Sequence, residues 1–299
     1  MFKFNCLVEI TTERNSLEIV LSSTFNKVKH SLHILSMKIF LRVGLMLFLS
    51  VEYYFCASEN YENTTSRVIE RRMIGGREAE KGEFPFLVAI FKKERFKGAF
   101  SLITTKTLIG AAHVVEKYVV KDYYGRIGDV NKNAGKKVLF RRRIIHGRYN
   151  SENYNNDIAL LILARSINNI SPIALVGKNV RFTKGSATLI GWGRIGFNER
   201  TDLLHVAKVN LVDPIYVACK FGYELTYKEI TALSSRVKAI SGDSGSPLIM
   251  RDALKRPVLI GIFANGGHNT GEPDIYMSTS FHHDFIKTHS VGRLTYLHV

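Results

Sequence analysis

The chain has 299 residues, of which 45% are hydrophobic and 23% charged, and its formal net charge is +16. This composition excludes a disordered chain and a collagen-like fibre, and it suffices for one large domain or two small ones. Residues 1–72 contain nine Lys and Arg against seven Asp and Glu, so residues 73–299 carry +14. Such an excess favours anionic partners, although a basic surface that only keeps the protein in solution is the alternative.

A signal-peptide pattern begins at Met37. The segment 37–58 opens on a basic residue, continues with an apolar run and ends in small residues, where we expect cleavage. We interpret residues 1–36, which show no targeting pattern, as an untranslated upstream segment. A signal-anchor helix is the alternative, but Arg42 and Glu52 interrupt a run that is shorter than the roughly 20 residues needed to span a bilayer. The pattern predicts a secreted, extracellular protein without stable membrane insertion.

Residues 59–72 are polar and are interpreted as a short propeptide that ends in the basic pair Arg71-Arg72. An unprocessed basic pair before a Gly-rich loop is the alternative. Two glycosylation sequons begin at Asn63 and Asn169, and both are candidate glycan sites in a secreted protein.

From residue 73 the chain changes to short apolar runs separated by Gly, Pro, Asn and Lys. Four runs have strand length and β-branched content, and they lie at 84–91, 157–163, 186–193 and 256–264. Many short strands predict an all-β barrel or sandwich for the segment 73–299. One helix is predicted near the C-terminus, capped by Ser280, with an inner face of Phe281, Phe285 and Ile286.

Three segments of the strand-rich region carry residues suited to nucleophilic catalysis. Ser244 lies in G-D-S-G-S-P, where a tight backbone exposes the hydroxyl and aims N–H groups at a developing oxyanion. His113 follows two alanines, and Asp157 opens an apolar strand that would bury its carboxylate beside an imidazole. Each alone has an ordinary explanation: a Gly-Ser turn, a surface histidine or a turn-capping aspartate. Together they supply a base, an orienting carboxylate and a nucleophile in the chain order His, Asp, Ser.

These segments belong to an ordered set that includes R-M-I-G-G, G-A-A-H, N-D-I-A-L-L, G-W-G, G-D-S-G-S-P and P-D-I-Y. From about residue 73 to residue 290 the chain resembles the trypsin/chymotrypsin-family serine proteases. The resemblance implies an all-β fold of two six-stranded antiparallel β-barrels with a C-terminal helix. It also implies an active site between the barrels and peptide hydrolysis through an acyl-enzyme, without a metal or a cofactor.

The resemblance assigns a role to each catalytic residue. His113 would take the proton from the Ser244 hydroxyl and return it to the leaving amine, while Asp157 holds the imidazole tautomer. The N–H groups of Gly242 and Ser244 would form the oxyanion hole.

Activation is assigned in the same way. An activating protease would cleave after Arg72 and free the amine of Met73, which would pair with Asp243 and order the oxyanion loop. The family usually has Ile where this chain has Met73.

The resemblance also places four residues at the primary specificity pocket: Lys238, Asn265, Gly266 and Asp274. An inward lysine would favour acidic substrate side chains, and an inward aspartate would favour Lys or Arg. The two could instead pair, or Lys238 could turn to solvent, so the sequence leaves the cleavage preference open.

Several usual features of the family are missing. The disulfide that brackets the catalytic histidine would join Gly98 and Val114, and Ile240 stands where a cysteine usually lies near the serine. Cys219 is the one cysteine outside the segments expected to be removed, and we expect it to be buried rather than reactive. Ala264 and Asn265 replace a Ser-Trp pair that normally backs the buried carboxylate and supports the substrate main chain.

Two function classes remain. The first is a zymogen-type endopeptidase with protein or peptide substrates; the second is a catalytically weak homologue used for binding or regulation. A weaker hypothesis, suggested by the net positive charge, is an anion-binding module. It does not account for His113, Asp157 and Ser244. The run 141–143 with Lys136 and Lys137, placed at a strand edge, is a candidate site for polyanionic glycans or else a solvated face. We expect a monomer and no nucleic-acid partner.

Overall fold

The computed structural model describes residues 76–117, 119–193, 201–234, 239, 242–266 and 271–299. Its strands are β1 (Arg77–Glu78), β2 (Leu87–Lys92), β3 (Arg95–Leu102), β4 (Thr107–Gly110), β5 (Tyr123–Ile127), β6 (Lys136–Ile145), β7 (Ala159–Leu163), β8 (Ala174–Val176), β9 (Gly185–Gly191), β10 (His205–Val212), β11 (Glu229–Leu233), β12 (Pro247–Arg251), β13 (Pro257–Gly266), β14 (Asp274–Ser278) and β15 (Tyr296–Leu297). The helices are α1 (Ala112–Val115), α2 (Pro214–Phe221) and α3 (His283–His289), with a 3-10 turn at Val120–Asp122.

The first barrel contains the predicted runs at 84–91 and 157–163. Its strands close antiparallel in the order β2-β3-β4-β7-β6-β5. Strand β7 is buried along its whole length, as its unbroken apolar sequence requires. Strand β6 pairs with β5 through residues 136–139 and with β7 through residues 140–145, so the basic run at 141–143 has a pairing strand on one side only, as its predicted position at a strand edge requires. A bulge between Phe140 and Arg142 shifts the register there, and Arg141 and Arg142 are both exposed.

The second barrel contains the predicted runs at 186–193 and 256–264. Its strands follow the order β12-β9-β10-β11-β14-β13, and pairing between β12 and β13 closes the ring. Strand β8 adds to β13 in parallel, β15 adds to β8, and β1 pairs with β10. The two six-stranded antiparallel barrels implied by the resemblance are therefore confirmed.

The two barrels are joined by main-chain and indole hydrogen bonds around the predicted serine. The Ala99 N–H of β3 donates to the Ser244 carbonyl oxygen at 2.9 Å. The Trp192 indole N–H, just after β9, donates to the Val130 carbonyl oxygen at 2.8 Å. The first of these contacts seats the serine loop of the second barrel against the first barrel, in the position that an active site between barrels needs.

Helix α2 has strong start and stop signals. The Asp213 side chain accepts the N–H two residues ahead at 2.8 Å, Pro214 occupies the first turn, and Gly222 ends the helix at φ 73°. Pro214 and Val217 form its buried face. Cys219 lies off that face and is exposed, so the expectation that it is buried was wrong.

The C-terminal helix α3 begins later than predicted. The Ser280 hydroxyl accepts the Val180 N–H at 2.7 Å instead of capping the helix. Phe281 is 50% exposed, so its predicted place on the inner face was wrong as well. Ile286 is buried and Phe285 packs half-buried against the core, as predicted.

None of the helices in the described part of the chain combines the length and the apolar composition needed to cross a membrane. The predicted segments 1–36, 37–58 and 59–72 lie outside the described residues.

Candidate active site

His113 and Asp157 form a short, oriented pair. The ring Nδ1 of His113 lies 2.5 Å from Asp157 Oδ2, and the His113 backbone N–H donates to Oδ1 at 2.9 Å. Because a carboxylate accepts, the Nδ1 carries the proton and leaves Nε2 as the basic nitrogen of the neutral ring. The pair therefore has the tautomer that a general base for a hydroxyl nucleophile requires.

The buried carboxylate depends on its position between a turn and a strand. Asp157 is fully buried immediately before β7, whose apolar side chains fill the first barrel. Tyr154 and Asn156 adopt left-handed conformations, with φ of 57° and 52°. The Asn156 side-chain amide donates to the Arg148 carbonyl oxygen at 3.1 Å and ties this turn to the preceding loop.

Only one residue of the described chain supports this carboxylate. Both hydrogen bonds that Asp157 accepts from described residues come from His113. Ala264, where the family usually has serine, is buried and has no hydroxyl to donate. The orienting carboxylate therefore has fewer donors than the resemblance leads one to expect.

Ser244 lies at the tip of a loop that is held by its own backbone. Gly242 and Gly245 have φ of 108° and 76°, which a residue with a side chain would adopt only under strain. The Gly245 N–H donates to the Phe263 carbonyl oxygen at 2.9 Å, and the Ser246 N–H donates to the Asp243 carbonyl oxygen at 2.8 Å. The serine thus lies on a glycine-flanked turn anchored to β13.

The environment of Gly98 shows that the serine loop packs against the histidine helix. A Cβ on Gly98 would lie 2.4 Å from the Ser244 carbonyl oxygen and 2.9 Å from Val114 Cγ2. Val114 follows His113 in helix α1, so the serine and histidine segments meet at this point. Gly98 and Val114 are also the positions of the missing disulfide, and the Val114 methyl group occupies space beside Gly98.

Asp243 is fully buried in a cradle of glycines. Its Oδ1 accepts the Gly193 N–H at 2.8 Å, and a Cβ on Gly191 or Gly193 would lie 2.1 Å from a carboxylate oxygen. The glycines of G-W-G are therefore required by the aspartate that precedes the serine, a role that sequence reasoning missed. Arg72 and Met73, the predicted activation residues, lie outside the described residues.

Two tyrosines border the His113–Asp157 pair. The Tyr154 ring meets the His113 ring edge-on, with 5.5 Å between centroids. Burial, with the negative charge of Asp157 as the next cause, raises the pKa of the Tyr149 hydroxyl well above its usual range. Tyr149 therefore stays neutral near the buried carboxylate.

The predicted specificity residues are only partly described. Asp274 is buried at the start of β14, where its Oδ2 accepts the Ala239 N–H at 3.0 Å. A Cβ on Gly266 would lie 2.6 Å from Asp274 Oδ1, so these two residues are neighbours. Asn265 is exposed, and its side-chain oxygen accepts the Gly266 N–H at 2.9 Å. Lys238 lies outside the described residues, so its place in the pocket stays a prediction.

Other predicted sites lie away from the pair. Asn169 is exposed between β7 and β8, whereas Asn63 falls outside the described residues. Among described residues, no cluster of three or more His, Cys, Asp or Glu side chains could hold a metal ion.

A feature that sequence reasoning missed is a cavity of about 330 Å³ beside Tyr154. Glutamates from three separate segments line it, at positions 152, 224 and 229. No local pattern connects them, because only the packing of the turn before Asp157 against the second barrel brings them together.

Comparison with known proteins places this geometry in a family. The Trypsin family model matches residues 73–286. Transmembrane protease serine 9 of Rattus norvegicus is 30% identical over 65% of this chain, and the match spans 20% of that protein. Venom peptide isomerase heavy chain of Agelenopsis aperta is 28% identical over 73% of this chain and 100% of its own length. Snake venom serine protease homolog 2A of Craspedocephalus gramineus is 29% identical over 78% of this chain and 91% of its own length.

The relatives thus include proteins named as proteases and proteins named as protease homologues. The family match covers most of the chain, coincides with the two barrels and contains the buried His113–Asp157 pair together with Ser244. This chain belongs to the trypsin family of serine proteases.

Proposed function

We propose that this protein is a secreted serine endopeptidase, made as a zymogen that is activated by cleavage after Arg72. The observation that carries the proposal is the His113–Asp157 pair, whose 2.5 Å contact fixes Nδ1 as the protonated nitrogen. A histidine that only filled the core would not need a fully buried carboxylate aimed at its ring.

The proposed reaction assigns one task to each group. His113 Nε2 accepts the proton as the Ser244 oxygen attacks the substrate carbonyl carbon, and the carbonyl oxygen becomes an oxyanion. The N–H groups of Gly242 and Ser244 stabilise that charge. His113 then protonates the leaving amine, and water releases the acyl group by the same steps in reverse. Asp157 stabilises the imidazolium in both stages.

Activation rests on Asp243, which is proposed to pair with the new amine of Met73. A buried carboxylate needs hydrogen bonds or a counter-charge, and the Gly193 N–H supplies one hydrogen bond at 2.8 Å. Pairing with the amine would fix the loop between Gly242 and Ser244. Cleavage after Arg72 would in this way change the oxyanion site.

A catalytically weak homologue used for binding is the second candidate. It is favoured by Ala264, which leaves Asp157 with donors from His113 only, and by Asn265 in place of the usual tryptophan. Its prediction is a folded, processed protein that binds peptides without turning them over.

Secretion, a mature chain starting at residue 73 and glycans at Asn63 and Asn169 are further parts of the proposal. The exposed position of Asn169 supports a glycan there. The exposed cations of β6, including Arg141 and Arg142, support polyanionic glycans as an additional partner. Monomers without a nucleic-acid partner are proposed.

The test compares the protein before and after cleavage at Arg72. An immobilised activating protease is removed before the assay, and hydrolysis of a mixed peptide library is followed by mass spectrometry. The processed wild type should cut peptides, whereas processed Ser244→Ala and unprocessed Arg72→Gln should not. Equal activity in wild type and Ser244→Ala would overturn the assignment of the nucleophile. Folded, processed wild type without turnover would favour the second candidate.

A further inference from the structure

The cavity of about 330 Å³ lies directly beside the catalytic pair and is large enough for part of a ligand. Tyr154 forms one wall, and its ring contacts His113 edge-on. Ala264 and Asn265 at the end of β13 form another wall. The cavity therefore adjoins the strand end that would support a substrate main chain.

The charge of this cavity is opposite to that of the protein. The chain has 42 Lys and Arg against 26 Asp and Glu. The described residues that line the cavity include Glu152, Glu224 and Glu229 but no Lys or Arg. We call this space the acidic cavity. A negative recess on a positive surface attracts cations locally, because low-dielectric walls concentrate its field.

Glu229 is the best-defined anion of the acidic cavity. It is only 5% exposed, and its Oε2 accepts the Thr226 N–H at 2.9 Å and the Thr226 hydroxyl at 3.1 Å. The Glu229 backbone N–H is a further hydrogen-bond donor to the same carboxylate. Lys228, the neighbouring cation, lies over the Phe281 ring, 5.7 Å from its centroid, and its positive charge offsets only part of the effect of burial on the pKa of Glu229. The nearly buried carboxylate is thus held by donors of its own turn, and no Lys or Arg lines the cavity within the described chain.

Such a carboxylate gains from a cationic ligand. Burial raises the pKa of Glu229 above its ordinary value, which means that the ionised form lacks sufficient compensation in the unliganded protein. An ammonium or guanidinium group entering the cavity would supply a charged donor and the opposite charge. A bound cation would offset the free-energy cost of burying the ionised Glu229, so the cavity should prefer cationic ligands.

Asn265 contributes to the opening of the cavity. The family resemblance places a tryptophan at this position, and asparagine is much smaller. The Asn265 side chain is exposed and turns back to accept the Gly266 N–H at 2.9 Å. The acidic cavity is therefore open at Asn265, and a long flexible side chain can enter there.

We propose that the acidic cavity binds a lysine or arginine side chain of the substrate, located two to four residues before the cleaved bond. The proposal rests on the peptide-hydrolysing function proposed above, and it adds a selection for cationic substrates to that site. An extended peptide advances about 3.3 Å per residue and directs alternate side chains to opposite faces. One of these three side chains therefore faces the acidic cavity while the main chain follows β13.

Peptide binding to a processed Ser244→Ala protein tests this proposal without requiring catalysis. Fluorescein-labelled peptides carry mixed residues at the primary position and either arginine or its neutral isostere citrulline at one of the three preceding positions. Fluorescence anisotropy gives the dissociation constants. Arginine should bind about tenfold or more tightly than citrulline at one position, as expected for a hydrogen bond to a charged group.

The variant Glu229→Gln, made in the same background, should reduce this preference to less than about threefold. Its side-chain oxygen can still accept from Thr226, which preserves the local fold. Glu78→Gln removes the same charge from exposed strand β1, outside the cavity, and should leave the preference unchanged. Glu224→Gln should have a smaller effect than Glu229→Gln, because exposed charges are screened by water and salt.

Equal binding of arginine and citrulline peptides at all three positions would overturn the inference. So would a preference that persists in Glu229→Gln or disappears equally in Glu78→Gln. These outcomes are independent of the proposed function. A wild type that cuts peptides without a cation preference contradicts only the inference, and an inactive protein that prefers arginine contradicts only the proposed catalysis.

Discussion

Acidification should destabilise the folded protein through His282, which is 3% exposed between helix α3 and the turn before Asp157. The ring Nδ1 donates to the Ser278 carbonyl oxygen at 2.8 Å, and Nε2 lies 3.4 Å from Asn156 Oδ1. The ring centroid of His146 is 5.4 Å away. Protonation of Nε2 would place a charge in a closed space beside another imidazole, with only the long contact to Asn156 Oδ1 to offset it.

The size of the effect follows from the pKa of His282. Burial lowers it from 6.5 to about 4; the Ser278 hydrogen bond opposes this, and the positive charges of His146 and Lys228 add to it. The unfolded chain then takes up the proton before the folded chain. Stability is fully present above pH 6.5 and is lost as the pH falls toward 4. The gap between 6.5 and about 4 corresponds to about 3 kcal/mol of unfolding free energy.

Urea denaturation between pH 7 and pH 4.5 measures this loss in wild type and in His282→Asn. Asparagine retains a donor for the Ser278 carbonyl and cannot take up the proton. Its unfolding free energy should therefore fall less steeply with decreasing pH than that of the wild type. His298→Asn, which removes an exposed imidazole, is the matched control. Parallel pH profiles for wild type and His282→Asn would refute the reasoning.

Further predictions concern the active-site framework. Gly98→Ala should lower the unfolding free energy by about 1–3 kcal/mol in urea titrations, because its Cβ would lie 2.4 Å from the Ser244 carbonyl oxygen; unchanged stability would contradict that contact. Asp157→Asn should lower kcat of the processed enzyme by about 10⁴-fold, the loss typical of this replacement in serine-protease triads, because the amide cannot hold the same His113 tautomer; retained kcat would oppose the assigned role. Glu229→Gln should gain stability relative to wild type as the pH rises above 4.5, since burial raises the pKa of Glu229 and ionisation opposes folding. Urea titrations at pH 4.5 and 7 check this, and an equal difference at both would contradict it.

The fold could be predicted from the sequence because its strands are apolar and short. Strand β7 has the sequence A-L-L-I-L and is wholly buried, so its local pattern and its final environment agree. The two-barrel architecture came from the ordered family motifs. Apolar periodicity alone gave only a barrel or sandwich.

The errors at helices α2 and α3 arose from contacts between distant segments. Ser280 has the local chemistry of a cap, yet its hydroxyl accepts the Val180 N–H from a segment 100 residues earlier. Cys219 is apolar enough for a core, but the start of α2 orients Pro214 and Val217 inward instead. The identity of a side chain does not reveal its hydrogen-bond partner or its burial before the packing of distant segments is known.

The candidate site was partly predictable for the same reason. His113, Asp157 and Ser244 stand in recognisable motifs, whereas Glu152, Glu224 and Glu229 have no common motif. Their shared cavity exists only after the second barrel folds against the turn before Asp157. The need for glycines around Asp243 was likewise visible only from its buried carboxylate.

Active-site titration with a fluorophosphonate probe tests the central claim most directly. The protein is cleaved after Arg72, its folding is verified by circular dichroism, and incorporated probe is counted by intact mass. Processed wild type should incorporate one probe at Ser244, and processed Ser244→Ala should incorporate none. A folded, processed wild type that remains unlabelled would contradict the claim that His113 and Asp157 activate Ser244.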